Sequence, residues 1–220
     1  MTVTTAENLV QLRRQLRLVA ILQSADETGL TPLPADQLHA LAYFADALAP
    51  VWGLRIVDSQ LLKRHGGPMS PLLQRDLDVL VGRGVVIASD VRHVVDEDGG
   101  WRLDALYALN REFSTPITDA VQQFPSEVAQ FDYVREVVYA VAGLGLGQIA
   151  KAPRSDAAYG DSLIDFGSLL DIDHLADDGN LSVRVARRFR AVAADEVELS
   201  SAELVHLYVR ELYRRLQDVA

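Results

Sequence analysis

The sequence predicts a mainly α fold carrying a small β-hairpin, and three observations predict it. First, Ser70-Pro71-Leu72-Leu73-Gln74-Arg75-Asp76-Leu77-Asp78-Val79-Leu80-Val81 has helical apolar spacing and stops at Gly82-Arg83-Gly84. Second, Val85-Val86-Ile87-Ala88 and the run Trp101 to Leu109 are β-rich and flank a polar tip, Asp96-Glu97-Asp98-Gly99-Gly100. Third, the chain beyond Asn110 is dominated by long segments with helical periodicity. Helix, glycine stop, strand, turn and returning strand form the second half of a winged helix. The expected layout is a winged-helix-like N-terminal domain over residues 1 to 112 and a helical C-terminal region over 113 to 220, with an acidic loop near 150 to 180.

Taken in order, the first helix is expected from Ala6 to Ser24, where Leu9, Leu12, Leu16, Val19 and Ala20 recur at helical spacing. Asp26-Glu27-Thr28-Gly29 ends it, and Thr31-Pro32-Leu33-Pro34 is a stiff connector. A second helix begins near Ala35-Asp36 and runs through Leu38, Leu41, Tyr43, Phe44 and Leu48 until Pro50 and Gly53 close it. Its apolar positions are too dense for a one-sided helix, which places it at the centre of the core. Asp58 to Arg64 is expected as a short helix or turn with Asp58 as its cap. After the breaker cluster that follows His65, Ser70 caps the next helix, with Pro71 at the first position, where a missing N–H costs nothing.

In the second half, Pro116 to Phe124 reads as a short helix, and Pro125-Ser126-Glu127 opens a longer one to about Ala142. Phe131, Val134, Val138 and Val141 form its apolar side, and Gly143-Leu144-Gly145-Leu146-Gly147 breaks it. From Asp156 to Asp178 there are seven Asp and no Lys or Arg, which reads as an acidic loop, mobile or bound to a partner. Short structured pieces are expected around Leu163 to Phe166. Two helices close the chain: an Arg-rich one over Ser182 to Val192, and one from Ser201 to Val219 that opens on a capping pattern, Ser200-Ser201-Ala202-Glu203.

Composition excludes several chemistries. Cysteine is absent, so disulfides, thiolate catalysis and thiolate-bound metals are out. No apolar run is long enough to span a bilayer, and Met1-Thr2-Val3-Thr4-Thr5-Ala6-Glu7 lacks the basic start of a secretion signal, so a cytoplasmic protein is expected. The formal charge of −10 lowers the expectation of autonomous DNA binding, which depends on neutralising phosphates. The basic residues are nearly all Arg, Lys63 and Lys151 being the only lysines, and Arg serves protein interfaces as well as phosphates.

Motifs for catalysis do not assemble. The Gly143 to Gly147 pattern follows a helix and lacks dinucleotide spacing, and there is no Gly-Lys-Ser/Thr element. Asp171-Ile172-Asp173-His174 with Asp177 and Asp178 fails the calcium-loop template: counted from Asp171, positions six and twelve hold Ala176 and Ser182. His39, His65, His93, His174 and His206 are scattered, and no G-x-S-x-G elbow exists. No enzyme, cofactor or metal is expected. The candidate binding surface is Lys63, Arg64 and His65 with Arg75 and Arg83, for DNA or for a protein partner. Asp76 and Asp78 on the same helix, and the acidic tip at Asp96, Glu97 and Asp98, oppose phosphates and favour protein. The plainer alternative is a solvated face with local ion pairs.

Leu38-His39-Ala40-Leu41-Ala42-Tyr43-Phe44-Ala45-Asp46 followed by Gly66-Gly67-Pro68-Met69-Ser70-Pro71-Leu72-Leu73 resembles two bacterial patterns. One is the Panacea (SocA-like) antitoxin domain. The other is the middle component of ABC-three-component and Lamassu-like defence systems, in which a short accessory protein accompanies an SMC-like ATPase and an effector. Tyr159-Gly160-Asp161 also looks like that family's tyrosine-containing turn. Met69, standing where the antitoxin pattern has valine, turns the resemblance toward the middle component. The resemblance implies a non-catalytic adaptor subunit, in anti-phage or anti-plasmid defence, that binds an SMC-like ATPase, an effector or both. DNA contact is then expected mainly as part of the complex. A DNA-binding transcriptional regulator, or an antitoxin covering a toxin, are the competing expectations.

Overall fold

Two helices whose apolar residues are too dense to face water make the centre of the core. In the computed structural model, which describes residues 5–95, 99–172, 180–192 and 198–218, α1 (Thr5–Glu27) buries Leu18, Val19, Ala20, Ile21 and Leu22 in succession. Helix α2 (Ala35–Ala47) buries every residue from Leu38 to Ala47, as its composition predicts. Between them β1 (Leu33–Pro34) leads directly into α2.

The stretch expected as a helix or turn at Asp58 to Arg64 is instead a strand, β2 (Gln60–Arg64), paired antiparallel with β3 (Gly67–Met69). Leu61 and Lys63 alternate inward, the period-two pattern that an exposed helix turn lacks. Asp58 is no helix cap: it is buried, and its carboxylate accepts the Ser70 hydroxyl. Strand β6 (Leu169–Asp171) pairs with the other side of β2, giving the order β3-β2-β6.

Helix α3 (Pro71–Gly82) starts as predicted, with Ser70 Oγ accepting the Leu73 N–H at 3.1 Å. It ends on Gly84 at φ 74, where the Val85 N–H reaches back to the Leu80 carbonyl at 3.0 Å. That reversal needs left-handed backbone, which glycine adopts without penalty. Ser70 thus caps α3 and satisfies buried Asp58 at once. Ser70→Ala is expected to lower stability by about 2 kcal/mol in urea denaturation, the sum of a lost cap and an orphaned carboxylate. A loss within measurement error would show that neither contact contributes.

Strands β4 (Val86–Val95) and β5 (Trp101–Leu109) form the expected hairpin, in register from Val86↔Leu109 to Val95↔Trp101. Between Ser89 and Arg92 the register shifts by a bulge, and Asp90 there holds φ 50. β1 joins the far side of β5, so this sheet has the order β1-β5-β4. The acidic tip Asp96-Glu97-Asp98 lies outside the described residues.

Helix α4 (Arg111–Val121) begins before the expected Pro116, because Asn110 caps it through the Glu112 N–H at 3.2 Å. Helix α5 (Pro125–Ala142) has its predicted bounds, and a short α6 (Leu146–Ile149) follows the glycine break. The last helices are α7 (Leu181–Val192) and α8 (Ser201–Asp218). Ser200 and Glu203 cap α8 reciprocally, the Ser200 N–H donating to Glu203 at 2.8 Å and the Glu203 N–H to Ser200 Oγ at 3.2 Å. The described residues are mainly helical, with two small antiparallel sheets. α5 packs against α1, α2 and α8, so residues on both sides of position 112 share one apolar core from Leu18 to Leu212.

The acidic segment is anchored where it starts. Asp156 is only 1% exposed and accepts the Tyr43 and Tyr208 hydroxyls, the Ser182 hydroxyl at 2.8 Å and the Ala158 and Tyr159 N–H groups at 2.9 and 3.1 Å. Five donors replace the water that a carboxylate loses on burial. Gly160 is required beside it, since a Cβ there would meet the Asp156 and Arg154 carbonyl oxygens at 2.6 and 2.7 Å.

Candidate partner-binding groove

The five basic residues singled out in the sequence take different positions. Lys63 is turned inward and is 3% exposed. Its ammonium donates to the Asp161 and Ile164 carbonyls at 2.6 and 2.7 Å and lies over the Phe166 ring, 5.1 Å from its centroid. Burial lowers the Lys63 pKa, against the opposing charges of Asp161 and Asp165. Lys63 ties the 160–168 segment to β2. His65 is exposed and stacks on Phe166 at 3.9 Å, while its carbonyl accepts the Arg154 guanidinium. Arg64 is half-buried beside Tyr159, whose hydroxyl donates to the Arg64 carbonyl at 2.7 Å.

Arg75 and Arg83 are exposed on and just after α3, and Arg83 reaches Gln15 at 3.4 Å. Asp76 does not share their face. It is fully buried, pairs with Arg14 at 2.6 Å and accepts from Gln11 and Gln15 at 3.2 and 3.3 Å, fastening α3 to α1. Asp78 is exposed and takes the Gln74 amide at 2.9 Å.

Of the predicted set, Arg64 alone enters a groove of about 620 Å³ between α2, β3, α3 and the β4–β5 hairpin. His39, Gln74 and Tyr107 contribute to its lining, with Arg64, Arg102, Asp36 and Asp78 as its charged residues. His39 Nδ1 accepts the Ser70 N–H at 3.2 Å, which puts the ring proton on Nε2, facing Gln74 Oε1 at 3.3 Å. Burial lowers the His39 pKa to about 4, so the imidazole is neutral near pH 7. It works here as a fixed donor.

Above the groove the hairpin presents an apolar face that the sequence reading passed over. Trp101 is 75% exposed and Leu103 61%, while Val91 and Val95 are more than half exposed. Register puts Trp101 opposite Val95 and Leu103 opposite His93, so the larger side chains share one face of the ribbon. Val95, Leu103 and Val91 line the groove, which makes face and groove continuous. The alternation Trp101, Leu103, Ala105, Tyr107 against Arg102 and Asp104 carried this signal, and Trp101 and Leu103 continue the buried side of β5 into solvent.

A second groove of about 460 Å³ lies between α1, the 53–57 segment and α5. Among the described residues no helix is long and apolar enough to cross a membrane, and no three His, Asp or Glu side chains gather as metal ligands. Asp173, His174, Asp177 and Asp178 of the cation reading lie outside the described residues. No family model, curated protein or solved structure matches the chain.

Proposed function

We propose that this protein is a non-catalytic adaptor subunit that docks on a protein partner through the apolar hairpin and adjoining groove of a winged-helix-like N-terminal domain. The order α1, β1, α2, α3, β4, β5 with strand order β1-β5-β4 supports the winged-helix reading, the β2–β3 hairpin being an insertion between the second and third helices. The observation that carries the function is Trp101. A wing that follows DNA offers cations to phosphates, whereas this one exposes Trp101 with Leu103, Val91 and Val95. Aromatic and aliphatic anchors set among polar residues are the energetic centres of protein interfaces. The bacterial resemblance carried by Tyr43, Phe44 and the Gly67-Pro68-Met69 segment makes an SMC-like ATPase or an effector the partner to test first, with ATP chemistry residing there.

Co-expression with the products of neighbouring genes is expected to yield a complex that survives gel filtration. Trp101→Asp and Leu103→Asp should each weaken it by about 100-fold, because a buried aspartate replaces an anchor worth 2 kcal/mol or more. A complex that forms unchanged with both substitutions would sink this reading. A second reading, regulation of transcription through α3, draws on the exposed Arg75 and Arg83 and on the burial of Asp76, which removes one repulsive charge from that face. It predicts that Arg75→Glu with Arg83→Glu abolishes sequence-specific duplex binding while leaving the protein complex intact.

A further inference from the structure

We infer that α7 carries a second, separate surface that grips the phosphate backbone of double-stranded DNA. Helix α7 reads Leu-Ser-Val-Arg-Val-Ala-Arg-Arg-Phe-Arg-Ala-Val and contains no carboxylate. Val183 and Ala186 are buried, and Val185 and Phe189 pack against the same core, so the apolar side faces inward. Arg184, Arg187 and Arg188 are exposed at i, i+3 and i+4, which stacks them on one face. The helix is held firmly beneath them: Asn180 donates to the Ala47 carbonyl at 3.0 Å and Ser182 to Asp156 at 2.8 Å.

Several other exposed arginines of the chain are held by acids. Arg13, Arg111, Arg135 and Arg214 each pair with a carboxylate, namely Glu127, Asp26, Asp132 and Glu211. Arg187 reaches only the Pro50 carbonyl at 3.5 Å, and Arg184 and Arg188 have no ion pair among the described residues. In a chain with 31 acids against 21 bases, three neighbouring cations with no carboxylate partner among the described residues form a ligand-directed feature.

Phosphodiester chemistry fits them best. A helical rise near 1.5 Å per residue sets Arg184 and Arg188 about 6 Å apart, and each guanidinium can hold a phosphate with two parallel N–H donors. Membrane binding needs an apolar side free to insert, and that side of α7 is already buried. A protein surface offers carboxylates at irregular spacing, whereas a duplex offers a regular row of phosphates that three stacked guanidiniums can follow. Unpaired strands are held by aromatic stacking, and Phe189, the one aromatic ring of α7, faces the core.

The net charge of −10 keeps the affinity low, in the non-specific range of about 10–100 μM at physiological salt. The test is fluorescence anisotropy of the full chain with a labelled DNA duplex of about 25 base pairs across a salt series. Wild-type protein is expected to bind with a steep salt slope. Arg184→Gln/Arg187→Gln/Arg188→Gln, confirmed folded by an unchanged thermal melt, should lose at least about 30-fold and flatten the slope by 2 to 3. Trp101→Asp should bind DNA as wild type does, which separates this surface from the adaptor reading. Undiminished DNA binding by the folded triple variant overturns the proposal. So does tighter binding to an RNA duplex or to phosphatidylserine vesicles, or no DNA binding by wild type at low salt.

Discussion

Asp156→Ala is expected to destabilise the protein by about 4 to 5 kcal/mol, enough to unfold many domains of this size at moderate temperature. The carboxylate accepts from Tyr43 on α2, Ser182 on α7, Tyr208 on α8 and two backbone N–H groups of its own turn. Removing it orphans all five donors inside the core. Burial, reinforced by the Asp156 charge, raises the pKa of both phenols well above 10, so they remain donors across the working pH range. Urea denaturation measures the loss, and Asp156→Asn should fall between wild type and alanine because one oxygen still accepts. Tyr208→Phe combined with Asp156→Ala should cost much less than the sum of the two, as members of one network do. Additive losses, or an alanine variant within 1 kcal/mol of wild type, would falsify the claim that this group organises three helices.

Arg17→Ala should cost about 3 to 5 kcal/mol, because it strands Asp46 in the core. Asp46 sits at the end of α2, ion-paired with Arg17 of α1, and also accepts the Val57 and Asp58 N–H groups at 3.1 and 3.2 Å. Burial raises its pKa from 3.8 to about 6, and the Arg17 charge opposes that rise. The folded chain therefore keeps this proton at a pH where the unfolded chain has released it. The stabilisation is complete below about pH 4 and is lost as the pH climbs through about 6. Without Arg17 the folded pKa rises further, so the variant's deficit should shrink in acid and grow toward neutrality. Denaturation midpoints at several pH values read this directly, with Asp46→Asn as the control that removes the titration. A deficit independent of pH would show that lost packing, and no stranded charge, explains the variant.

Much of the helical framework was legible because its signals are local. Ser70-Pro71, Pro125 and the Ser200–Glu203 box each place a helix start within a few residues, and unbroken apolar density placed α2 in the core. The failures share a cause in long-range contacts. Gln60 to Arg64 has no β-branched residue to mark a strand, and β2 exists because β3 and β6 pair on either side of it. Asp156 reads as a surface charge until Tyr43 and Tyr208, 113 and 52 positions away, are folded against it. Of the basic residues, Arg64 reaches the groove and Arg75 and Arg83 face solvent, while Lys63 points inward because strand alternation puts it beside Leu61. The apolar hairpin face was written in the alternation from Trp101 onward, yet which side meets solvent depends on how far the ribbon projects beyond α3.

The kink at Asp90 has a bearing on how such a sticky ribbon survives at high concentration. β4 is the outer border of its sheet, ten residues long and carrying Ile87, Val91 and Val95. A straight border of that composition would template the stacking of copy upon copy into fibrils. The left-handed residue at position 90 breaks the row of outward amides, and Asp90 and Arg92 put charge at the same point. The exposed apolar side chains of β4 are thereby split into short stretches, and the border offers no unbroken row of amides for a second copy to extend.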